Sequence, residues 1–197
     1  MYNKYIKRLI DIILSLLGII FFAPLFLALI IVIKIDSSGS ILFKQKRIGI
    51  NKSYFYILKF RTMRVDTPQD MPTHLLENPQ QYITKIGKFL RRTSLDEMPQ
   101  IFNILSGSMS IIGPRPALWN QYDLIEEREK YGANDIRPGL TGWAQINGRD
   151  ELSTDIKAKL DGEYVEDLNF AFDFKCFYMT IFKVLKSDGI IEGVLKK

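Results

Sequence analysis

Hydrophobic positions are densest near the N-terminus, where Ile12–Ile33 runs for 22 residues without a charge. A straight helix of that length covers about 33 Å and would cross a bilayer core. Two features predict a different path. Pro24 falls in mid-run; it removes a backbone hydrogen bond and crowds the carbonyl of residue 20, so a bend is expected. Basic residues also flank both ends: Lys4, Lys7 and Arg8 before, and Lys34, Lys44, Lys46 and Arg47 after. The positive-inside tendency places each flank in the cytoplasm, which requires a segment that enters and leaves on one side. The run is long for a signal-peptide core, and no small-x-small cleavage pattern follows it. Residues 1–36 therefore read as a re-entrant membrane helix broken at Pro24, and 37–197 as a domain at the cytoplasmic face.

Beyond residue 36 the periodicity shortens and mixes. Ile41–Arg47 and Tyr54–Arg61 read as strands, with turn chemistry at Gly49–Asn51, so a β-hairpin is expected. Asp66–Gln81 is polar, carries three prolines and reads as a loop. Helical patterns follow at Ile83–Arg92, Met98–Leu105, Leu118–Tyr131 (with Gly132 as its stop), Asp155–Val165 and Phe172–Lys186. Arg137–Arg149 is a Gly-rich loop with a short extended piece. In the last helix, Phe174, Phe177, Tyr178, Ile181 and Leu185 share one face, which fits a core helix and an in-plane interfacial helix equally. The expected fold class is α+β: a monotopic membrane protein with a short hairpin and several amphipathic helices.

Charge sharpens the membrane reading. Of 27 Lys/Arg and 22 Asp/Glu, residues 1–92 hold 15 and 5, leaving 12 and 17 for the remainder. A basic half that also carries the apolar run suits an anionic membrane surface and phosphorylated substrates, and argues against nucleic acid. Cys176 is the one cysteine, so no intramolecular disulfide forms. His74 is the one histidine, so a metal would be held by carboxylates, which favours a hard ion such as Mg²⁺.

Chemistry concentrates in Arg91-Arg92-Thr93-Ser94-Leu95-Asp96-Glu97-Met98-Pro99-Gln100. Ser94-x-x-Glu97 fits a capping box at a helix start. The same residues also present two adjacent carboxylates after two arginines, a place suited to phosphate and to a divalent cation. A carboxylate there could also attack phosphorus directly. On these residues alone the two readings stand level. Arg115 lies between Pro114 and Pro116, and Arg137 precedes Pro138; fixed φ angles present such guanidinium groups rigidly for phosphate. Lys59 and Arg61 alternate with Phe60 on the second strand and share a face.

Five ordered stretches now resemble the small monotopic phosphoglycosyl transferases, also called bacterial sugar transferases. They are Phe43–Gly49, Lys59–Met63, Arg92–Gln100, Met109–Pro116 and Arg137–Arg149. The resemblance implies a re-entrant helix broken at its proline, Mg²⁺ dependence, and a two-step transfer of sugar-1-phosphate from a UDP-sugar to polyprenyl (undecaprenyl) phosphate. Asp96 matches the nucleophile. Glu97 matches the second member of the dyad, assigned to metal and proton handling, so Asp96 and Glu97 are the implied metal residues. Substrate binding falls to Lys59, Arg61, Arg91, Arg115, Arg137, Gln145 and Arg149. The implied location is the cytoplasmic face of the bacterial inner membrane, in capsule or O-antigen synthesis, with downstream glycosyltransferases as partners. Pro116–Tyr122 and the Thr67–Tyr82 loop resemble members that use N-acetylated 6-deoxy sugars. Many members carry Ser-Pro at the helix break; Ala23-Pro24 stands here and lacks the hydroxyl that could cap a freed carbonyl. Two alternatives stand beside this reading: a membrane-anchored scaffold without catalysis, and direct transfer in a ternary complex.

Overall fold

The computed structural model describes residues 2–67, 79–148 and 152–186. A π-helical turn at Tyr2–Ile6 leads into α1, Lys7–Asp36. α1 is 30 residues long, about 45 Å at 1.5 Å per residue, and Pro24 lies inside it without ending it.

The pattern of α1 is inside-out. Lys7, Asp11 and Ser15, spaced by four, are buried against the rest of the chain. Leu9, Ile13, Leu17, Ile20, Phe21 and Leu27 face outward. At its C-terminal end the buried positions turn apolar: Leu29 and Ile33 pack with Phe60 and Leu90. Each such side chain contributes about 1.5–3 kcal/mol on leaving water.

Strands β1 (Leu42–Ile48) and β2 (Tyr54–Phe60) form the expected antiparallel hairpin, with Leu42 opposite Phe60 and Ile48 opposite Tyr54. The connection is a helical turn, Ile50–Lys52, with Asn51 and Lys52 at φ 51° and 57°. The polar loop lies mostly outside the described residues. Its ends are drawn together by Arg64 N–H to Tyr82 O and by Thr84 N–H to Thr62 O.

Helix α2 (Lys85–Arg92) begins at Thr84, whose hydroxyl accepts the Gly87 N–H. A 3₁₀ turn, Leu95–Glu97, separates it from α3 (Gln100–Ser106). β3 (Ser110–Ile112) pairs in parallel with β4 (Gly139–Thr141). Gly113 and Gly139 are required here: a Cβ on either would press within 2.5 Å of the neighbouring backbone. α4 (Tyr122–Glu129) and α6 (Thr154–Glu166) are joined by the buried Arg128–Asp161 ion pair at 2.6 Å. Gly132 sits just beyond α4 at φ 65°. α5 (Trp143–Ile146) is a single turn within the expected Gly-rich loop.

α7 (Phe170–Lys186) decides between the two readings of its aromatic face. Phe174, Phe177, Tyr178 and Ile181 point outward, whereas Asp173 and Cys176 are buried. Cys176 packs with Ile112, Ile136, Ile146 and Tyr164. The aromatic stripe is therefore not core.

Candidate active site

Lys59 is on the same face of β2 as Ile57, and Ile57 packs with Ile104 and Met109 beneath α3. That packing brings the Lys59 ammonium under the turn that joins α2 to α3. The chain leaves α2 at Thr93 and reverses through Ser94 at φ 55°. Asp96 and Glu97 then sit in the 3₁₀ turn, ahead of α3 rather than in its first turn.

The capping box does not form. Ser94 makes no side-chain cap, and the Glu97 carboxylate is turned away from the backbone. Its Oε1 accepts from Lys59 Nζ at 2.7 Å and from Arg115 Nη2 at 2.9 Å. Two charge-assisted bonds outweigh a single bond to a backbone N–H. α3 starts at Gln100 with Pro99 at its N-cap, where the missing N–H costs nothing.

Electrostatics divide the two carboxyl groups. Burial opposes the charge on Glu97, but Arg115 and then Lys59 hold it well below the usual carboxylate range. Burial pushes Asp96 up to about 6; Lys59 pulls against this, the Glu97 charge adds to it, and Arg91 and Arg115 oppose it more weakly. Burial also lowers Lys59, against the pull of Glu97. No hydrogen bond or ion pair to the Asp96 carboxylate forms among the described residues. The turn thus holds one neutralised carboxylate beside one available to a ligand.

Arg115 is delivered by the extended segment that follows β3. Gly113 N–H bonds Thr141 O, Gly139 N–H bonds Pro114 O, and Ile48 N–H bonds Ala117 O, so this segment is stitched on both sides. Arg47 adds a bond to Pro116 O at 3.0 Å.

A family model described as bacterial sugar transferase matches residues 2–187. The chain belongs to the bacterial sugar transferase family. Among its relatives, the UDP-glucose:undecaprenyl-phosphate glucose-1-phosphate transferase of Escherichia coli (strain K12) is 38% identical over 92% of this chain and 40% of that protein. The uncharacterized sugar transferase EpsL of Bacillus subtilis (strain 168) is 37% identical over 94% of this chain and 90% of its own length. The exopolysaccharide production protein ExoY of Sinorhizobium fredii is 34% identical over 93% and 87%. The chain thus spans about two-fifths of the first relative and most of the other two.

At this candidate site the expected residues separate into two groups. Asp96, Glu97, Lys59 and Arg115 meet, and Arg91 acts on Asp96 from α2. The others are engaged elsewhere. Arg61, though two residues from Lys59, gives its Nη2 to Ser37 O and Oγ and closes the C-terminal end of α1. Arg137 donates from Nε to Gly107 O, just beyond α3. The Gln145 amide nitrogen reaches Leu140 O at 3.5 Å, and its Oε1 is buried without a partner. Arg149 lies outside the described residues. Reading the sequence for charged chemistry also passes over Asn103, a buried amide in an apolar helix; the lone polar residue in Ile101–Leu105 was the available signal.

Proposed function

We propose that the chain transfers a sugar-1-phosphate from a UDP-sugar to polyprenyl phosphate, releasing UMP, with Asp96 as a transient covalent carrier. The observation that carries this reading is the contrast at the turn: Glu97 is clamped by Lys59 and Arg115, while the adjacent Asp96 carboxylate makes no hydrogen bond or ion pair among the described residues. The E. coli relative's name describes the same overall transfer for glucose-1-phosphate.

In the first step an Asp96 oxygen attacks the sugar-bearing phosphorus. The bond from that phosphorus to the bridging oxygen breaks, and UMP departs with the electron pair. In the second, a phosphate oxygen of the polyprenyl phosphate attacks the same phosphorus and returns the carboxylate to Asp96. Lys59, Arg91 and Arg115 stabilise charge on the phosphoryl oxygens. Asp96 and Glu97 would hold the Mg²⁺ ion, which supplies further neutralisation of the diphosphate. The donor set fits: adjacent carboxylates are hard ligands. Among the described residues no group of three or more His, Cys, Asp or Glu forms, so water and substrate phosphate would fill the remaining positions, as is usual for Mg²⁺.

The acceptor requires a site at the lipid surface, and the form of α1 supports that reading. Its outward face is apolar, its inward stripe is polar near the start and apolar near the end, and both of its ends rest on the same globular body. This favours a re-entrant segment in one leaflet of the inner membrane, at the cytoplasmic face. The exposed stripe of α7 and the nearby Tyr2–Phe170 contact extend that surface at interfacial level.

Asp96→Asn tests the proposal. It abolishes UMP release from UDP-sugar while membrane association persists, and a phosphosugar adduct accumulates only on the wild-type chain when acceptor is withheld. Full turnover by the variant would refute the nucleophile; UMP release without an adduct would favour direct transfer. A wild-type chain that binds membranes but turns over no UDP-sugar would favour the scaffold reading.

A further inference from the structure

We propose that Asn103 is a positioning residue for this transfer, its side-chain amide locking α3 to β2 in the register that sets Lys59 against Glu97. The inference rests on the function proposed above.

Asn103 is 6% exposed. Its Nδ2 donates to Tyr56 O and its Oδ1 accepts from Leu58 N–H, both at 2.9 Å. A residue in a parallel strand bonds its partner in this way, taking the N–H after the opposed residue and giving to the C=O before it. The amide thus stands opposite Ile57 on the edge of β2 that β1 leaves open. Its own carbonyl accepts from Met109 N–H and from the Ser106 and Ser108 hydroxyls, which fixes the far end of α3.

The two clamped elements carry the two sides of the site. Lys59 directly follows Leu58, and Glu97 lies six residues before Asn103 on the segment that opens α3. The Ile57, Ile104 and Met109 contacts press the elements together but do not set a register, because apolar packing is non-directional. The paired amide bonds do. Slippage of α3 along β2 would open the 2.7 Å Lys59–Glu97 contact.

Asn103→Ala and Asn103→Asp test the clamp; the aspartate keeps the acceptor for Leu58 but places a second oxygen against Tyr56 O. Two readouts are taken: acylation of Lys59 by an amine-reactive reagent, followed by mass spectrometry, and the kinetics of UMP release. Ile104→Val serves as a control that loosens the same interface without touching the amide. Asn103→Ala is expected to raise Lys59 labelling while labelling of exposed Lys130 stays constant. It is also expected to lower kcat on the order of 10–100-fold with little change in KM. Asn103→Asp falls between Ala and wild type, and carries the test if the alanine variant does not fold. Lys59 as protected in both variants as in wild type, or equally exposed in Ile104→Val at a matched loss of Tm, overturns the proposal. If the wild-type chain releases no UMP from any UDP-sugar, the functional reading fails, while the labelling still decides the clamp.

Discussion

The carboxylate of Asp11, on the apolar N-terminal helix, accepts the backbone N–H of Ile111 at 3.0 Å. Ile111 is in β3, and Arg115 follows four residues later with its guanidinium on Glu97. A side chain of the apolar N-terminal helix therefore holds the segment that delivers the arginine paired with Glu97. Asp11→Leu leaves that N–H unpaired, at a cost of about 1–3 kcal/mol, and lowers UMP release. Asp11→Asn keeps the acceptor and stays near wild type. Thermal unfolding and turnover of the two variants check this; equal losses in both would mean that the charge, not the acceptor, matters.

Asp96 predicts a pH dependence of known sign. Burial raises its carboxyl to about 6, and in the proposed mechanism only the ionised form attacks phosphorus. The rate at limiting UDP-sugar therefore falls as pH drops through about 6. Stability moves the other way. A folded value above the ordinary 3.8 means that the native state binds the proton more tightly. Ionised Asp96 is therefore a cost to the fold, fully present above about 6 and gone below the unfolded value. Asp96→Asn should raise the Tm of the metal-free protein at pH 7.5, and the gain should shrink toward pH 4.5. A variant that melts with wild type at every pH would remove the burial argument.

Local pattern revealed the hairpin, most helices and the Asp96–Glu97 segment, because strand alternation, Gly132 and the Arg-rich approach to the dyad are written in adjacent residues. It does not carry what tertiary contacts decide. Ser94-x-x-Glu97 has the spacing of a capping box, but Lys59 and Arg115 arrive from distant segments and take the glutamate. Arg61 and Arg137 look like phosphate ligands by charge and by proline context, yet each satisfies carbonyls at a helix end. The polar stripe of Lys7, Asp11 and Ser15 starts in the basic flank and enters the apolar run only at Ser15, and its meaning depends on which face turns inward.

A second buried network joins the two helices with apolar outer faces. Lys7 Nζ meets Asp173 Oδ2 at 2.7 Å, and the Tyr164 hydroxyl meets Asp173 Oδ1 at 2.6 Å. Asp173→Ala strands the Lys7 ammonium in a buried site, a change that typically costs about 3–5 kcal/mol. Replacing both residues, Lys7→Met with Asp173→Ala, removes the stranded charge and should recover part of that loss. Thermal unfolding in detergent across this double-mutant cycle gives the coupling; additive effects would show that the pair contributes little.

The path of α1 gives the last prediction. Near its start, Lys7 and Arg8 are bound by α7 and by the carbonyls of Ile104 and Leu105. At its end, Asp36 accepts the Ile86 N–H at the start of α2, and Ser37 holds Arg61. Both ends are thus fastened to one globular body, so a path that leaves them on opposite sides of a bilayer would have to break one set of these contacts. Cys176 is buried and gives little background. Single cysteines at Asn3→Cys and Ser38→Cys, both exposed positions, should react with a membrane-impermeant maleimide from the cytoplasmic side alone. Labelling of one position from each side would establish a spanning helix and remove the re-entrant placement.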